Sequence, residues 1–112
     1  MMDTDASENP VVVEAQAEVI ISELEELKIV TSQAKAFIAR TLGDPAFDVQ
    51  VKAIPVMQAA IKVSPEYKGS VRAMLEQQIA VALPEDRAFW IEEAEKLVGQ
   101  PIRRADSSLT QP

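Results

Sequence analysis

Apolar residues in the opening third of the chain fall at Val13, Ala17, Ile20, Leu24, Leu27, Thr31, Ala34 and Ile38, a repeat of 4, 3, 4, 3 with Thr31 as its one weak member. Only an α-helix brings positions so spaced onto one face. Val12, Val19, Val30 and Phe37 lie about 100° round the same side and widen the stripe beyond a coiled-coil seam, to the width a bundle core needs. Asn9 followed by Pro10 is a suitable start, because asparagine caps free N–H groups and proline tolerates the first helical position. Glu14 and Glu18 then fall toward the positive end of the helix dipole. Gly43 is the expected stop, the residue able to turn left-handed after Leu42.

Three later segments open on Asp44–Pro45, Ser64–Pro65 and Leu83–Pro84. Asp44 and Ser64 carry oxygens able to accept from first-turn N–H groups; Leu83 does not, so the last junction reads as a tight corner between helices. Helical intervals continue through Phe47, Val51 and Ile54, then Val71, Leu75 and Ile79, then Phe89, Ala94, Leu97 and Val98. Pro55 should kink or split the second helix, since an interior proline removes one hydrogen bond and clashes with the preceding turn. Alternation at Val49, Val51 and Ala53 would suit a strand, but no partner strand is visible elsewhere. The proline spacing of about 20 residues is too short for the usual helical repeats. Gly99 and Pro101 should end the last helix.

With 112 residues the chain has the size of one domain. The expected fold is therefore all-α: a small antiparallel helical bundle over residues 10–99, of four helices, or five if the first is broken. Residues 1–9 form an expected flexible acidic lead and residues 100–112 an expected flexible tail.

The sequence contains no cysteine and no histidine. That removes disulfide scaffolds, thiol chemistry, Ser/His and Cys/His nucleophile pairs and the common zinc sites. No Gly-rich phosphate loop is present, and no catalytic site or cofactor is expected; carboxylates, lysines and Tyr67 are the remaining reactive groups. Asp3, Asp5, Ser7, Asn9 and Glu14 match the oxygen positions of a calcium loop, but Glu8 stands where the loop needs glycine, so no metal is expected. Glu23, Glu25 and Glu26, and again Glu92, Glu93 and Glu95, read as solvated helix faces within reach of Lys28 and Lys96.

The net charge of −7 argues against direct nucleic-acid binding, which relies on clustered Lys and Arg. Eight acids and no base fall in residues 1–27, while residues 28–83 carry seven bases against four acids. Such asymmetry suits a basic partner or the middle segment of another copy. With neither a secretory leader nor an apolar run of roughly 18 residues, the expectation is a cytoplasmic protein with no membrane contact.

An unbroken helix from Pro10 to Leu42 would be roughly 50 Å long against roughly 25 to 30 Å for the others. Its overhang would need cover from a protein partner or a second copy, a dimer being the expected homo-oligomer. Val13, Ile20, Leu24, Leu27 and Trp90 are the candidate partner contacts, Trp90 because Ala88 to Ile91 is apolar all round. A break at residues 29–32, where β-branched residues meet a serine able to cap, is the competing arrangement. The expected role is a non-catalytic interaction protein: an adaptor, assembly chaperone, scaffold or regulatory subunit. One alternative is an acidic inhibitor or nucleic-acid mimic acting through Glu14, Glu18, Glu23, Glu25 and Glu26; another is a helical carrier of an apolar small molecule.

Overall fold

The computed structural model describes residues 8–99; the expected tail at 100–112 and most of the expected acidic lead lie outside the described residues. The chain is an all-α bundle. Its helices are α1 (Pro10–Leu27), α2 (Ser32–Leu42), the single turn α3 (Phe47–Gln50), α4 (Ala53–Val63), α5 (Lys68–Val81) and α6 (Pro84–Val98), with a 3-10 turn at Pro65–Tyr67. The chain divides into two compact units, residues up to Lys68 and residues from Gly69 onward.

In the first unit, α1 starts as its sequence implies: Pro10 occupies the first turn and the Asn9 side chain accepts from the Val11 N–H at 2.8 Å. No acid lies in that first turn, so Glu14 and Glu18 gain little from the helix dipole, which acts mainly within the terminal turn.

The unbroken rod does not form. At its end, Lys28 turns left-handed (φ 61°) and gives its N–H to the Leu24 carbonyl at 2.8 Å. Lys28 is the one non-glycine residue of positive φ among the described residues. Ile29, Val30 and Thr31 follow; β-branched side chains lose rotamer freedom in a helix, and this run stays out of one. Thr31, rather than the serine after it, opens α2: its Oγ1 accepts from the Ala34 N–H at 3.1 Å. α1 is thus about 27 Å long, and α2 returns antiparallel beside it. The return is marked by Arg40 near the end of α2, whose Nη2 donates to Gln16 Oε1 at 3.4 Å.

The far end of α2 also departs from expectation. Gly43 is right-handed (φ −82°), not left-handed. It still ends α2, its N–H on the Ala39 carbonyl at 3.1 Å, and a Cβ there would stand 3.3 Å from that oxygen. Asp44 does not cap α3. Its buried carboxylate instead accepts from the Ala46 N–H at 2.9 Å and from the Glu8 N–H at 3.0 Å, tying the start of the described chain to the corner after α2.

Pro55 splits the second helical segment as its chemistry requires. The seam lies at Val51–Lys52, and Val51 is the residue four before the proline, where an interior ring meets the helix carbonyl. The Val51 carbonyl accepts from Ile54 instead, at 3.1 Å. α4 packs on both α1 and α2. Val13, Ala17, Ile20 and Leu24 of α1, Ala34, Phe37 and Ile38 of α2, and Ala53, Val56, Met57 and Ala60 of α4 are buried.

In the second unit, α5 and α6 meet through the two-residue corner Ala82–Leu83, where the Arg87 guanidinium donates to the Ala82 carbonyl at 3.1 Å. Leu83 makes no side-chain cap, as expected of a corner. Val71 and Leu75 of α5 and Trp90, Ala94, Leu97 and Val98 of α6 are buried. Gly99 ends α6 left-handed (φ 71°), its N–H on the Glu95 carbonyl.

Candidate functional site

Four of the five side chains expected to meet a partner are inside the folded chain. Val13, Ile20, Leu24 and Trp90 are buried, Leu24 and Trp90 to 0% exposure, and only Leu27, 52% exposed, remains outside. For the three on α1, the reason is the turn at Lys28. It brings α2 back against the stripe that a straight rod would have left bare. At the apolar run on α6, Trp90 is enclosed, packing edge-on to Phe89 with ring centroids 5.3 Å apart, while Phe89 and Ile91 are half-buried.

What α1 leaves outward is arranged in two flanks. Taking about 100° per residue, Glu14, Glu18 and Glu25 lie within about 40° of one another on one side of the buried stripe. Val12, Gln16, Val19 and Glu23 form the other flank, with Glu26 beside them. The five acids therefore do not share one face. None of Glu23, Glu25 and Glu26 pairs with Lys28 among the described residues, because Lys28 has left the helical course. On α6, Lys96 does reach both Glu92 (3.9 Å) and Glu93 (3.4 Å), as ordinary helix pairs.

Each flank borders a groove. On the valine side, Gln16, Val19 and Ile20 of α1 with Gln33, Phe37 and Arg40 of α2 line a groove of about 310 Å³. Arg40 lies across it, its guanidinium carbon 5.5 Å from the Phe37 ring centroid and its Nε 3.5 Å from the Glu8 carboxylate. Val12 is 50% and Val19 68% exposed at this edge. On the carboxylate side, Glu14, Ala17, Glu18 and Ile21 of α1 face Val51, Lys52 and Pro55 across a groove of about 390 Å³. Lys52 pairs with Glu14 there at 3.1 Å.

Neither groove was among the expected sites. Val12 and Val19 belonged to the widened apolar stripe, and their seven-residue interval, with Gln16 between, was the available signal. Of the second groove, Glu14 and Glu18 were expected as part of an acidic face, while its far wall at Val51, Lys52 and Pro55 had no signal in α1.

Burial pushes the Tyr67 phenol above its ordinary value, so it is a protonated hydroxyl at neutral pH, not a ready base. No three acidic side chains converge as a metal-ligand set among the described residues, and no helix there is long and apolar enough to cross a membrane. No family model, no curated protein and no solved structure matches the chain.

Proposed function

We propose that the chain is a non-catalytic protein-interaction module, of the adaptor or regulatory-subunit kind, whose contact surface is the outer side of α1. The supporting observation is the valine flank: Val12 and Val19, 50% and 68% exposed, stand one above the other beside an open groove containing Ile20 and Phe37. Two aligned exposed valines give the groove an apolar edge, and helix-in-groove contacts use anchors at such intervals. The partner is either another protein or a second copy; the need to shelter an overhanging rod no longer enters the case. The acidic-mimic alternative draws on fewer charges than the count of acids suggests, since three of the five on α1 share a flank.

The test compares the wild-type chain with a Val12→Glu, Val19→Glu double variant. Both positions are exposed, so circular dichroism and thermal midpoint should stay near wild type. Light scattering over a range of concentrations reads self-association, and affinity copurification from the native source reads a foreign partner. The variant should lose whichever association the wild type shows. Equal behaviour of the two proteins in both measurements would remove the valine flank as the contact surface.

A further inference from the structure

We infer that the groove on the carboxylate side of α1 is a second docking site, and that its occupant is a basic amphipathic helix of a partner protein. The inference rests on the interaction reading above and names the partner's chemistry. Ala17, Ile21, Val51 and Pro55 make the groove apolar along its length, and about 390 Å³ is room for two or three apolar side chains. Its rim is charged. Lys52 is engaged with Glu14 at 3.1 Å, so those two neutralise one another, whereas Glu18 has no ion-pair partner among the described residues. Glu25 lies on the same flank, about 10 Å further along the helix, and also lacks an ion-pair partner among the described residues.

An occupant must therefore bring apolar side chains at helical intervals and, beside them, cations separated by about two turns to meet Glu18 and Glu25. Spanning Glu14 to Glu25 takes about 11 residues of helix, roughly 16 Å. A second copy offering its own α1 is disfavoured, because it would set carboxylates against carboxylates on a chain already at −7.

The experiment titrates the full isotope-labelled chain with a synthetic 14-residue peptide carrying leucines on one helical face and Lys and Arg beside them. Two control peptides have the same composition in scrambled order, and Glu in place of each base. Saturable shifts should appear at Ala17, Glu18, Ile21, Val51 and Lys52. A Glu18→Lys, Glu25→Lys variant should bind about tenfold more weakly or worse, and affinity should fall with added salt, because opposed exposed charges are screened.

Binding should persist in the Val12→Glu, Val19→Glu variant, which separates this site from the valine flank. Equal binding of the scrambled peptide, no binding of the basic one, or indifference to both lysine substitutions would overturn the inference. So would an alkylammonium ion competing as well per molecule as the peptide, or shifts at the same residues arising from self-association alone. If the basic peptide fails while the valine variant still loses its partner, only this second site falls.

Discussion

Two of the interruptions between helices in the first unit, at residues 28–31 and at Val51–Lys52, have opposite character. The first contains neither proline nor glycine, yet it reverses the chain, because Lys28 enters the left-handed region and Thr31 caps a new helix. The second is caused by a proline, yet Val51 and Lys52 both keep right-handed helical angles and α4 resumes at Ala53. A proline deletes one hydrogen bond without changing the sign of φ, so the backbone stays right-handed through the seam. A left-handed residue changes the sign, and the next helix must leave in another direction. Helix breaking and chain reversal are thus separate events here, and the stronger sequence signal produced the milder effect.

The largest test of this contrast is Leu24→Ala. If the Lys28 turn exists to lay α1 against α2 and α4, removing this fully buried side chain should cost about 2 to 5 kcal/mol in denaturant unfolding. A loss below about 0.5 kcal/mol, the usual range of a surface substitution, would mean that α1 stands free and that the reversal is not formed. Next in size is Thr31→Ala, which removes the oxygen accepting from the Ala34 N–H and should lower stability by about 1 kcal/mol. An unchanged midpoint there would show that the reversal does not depend on the cap.

Pro55→Ala should do least to stability, within about 1 kcal/mol either way, because a regained hydrogen bond offsets a more flexible unfolded chain. Its signature is structural: α3 and α4 should join, with slowed amide exchange across residues 51–55. Persistence of the seam in that variant would assign the break to tertiary packing instead of to the proline.

Local backbone chemistry was readable in advance where one residue type has one conformational use. Asn9 with Pro10, the Pro55 split, the Leu83 corner and Gly99 at the end of α6 all belong to that class. Gly43 ends α2 as the sequence implies, though without the left-handed turn, whereas Asp44 does not cap the next helix. One partner of the Asp44 carboxylate, the Glu8 N–H, depends on how the chain comes together at that corner.

Periodicity by itself determined that this chain is helical and which stripe of α1 seeks an apolar surface, since a 3.6-residue repeat leaves no other geometry for that pattern. Whether the stripe would meet its own chain or another molecule was decided only by folding. A left-handed lysine costs about 1 to 2 kcal/mol locally and carries no mark in the sequence; the burial of Leu24 and its neighbours against α2 and α4 outweighs that cost. The same choice settled which residues remained outside, leaving Val12, Val19, Glu18 and Glu25 exposed.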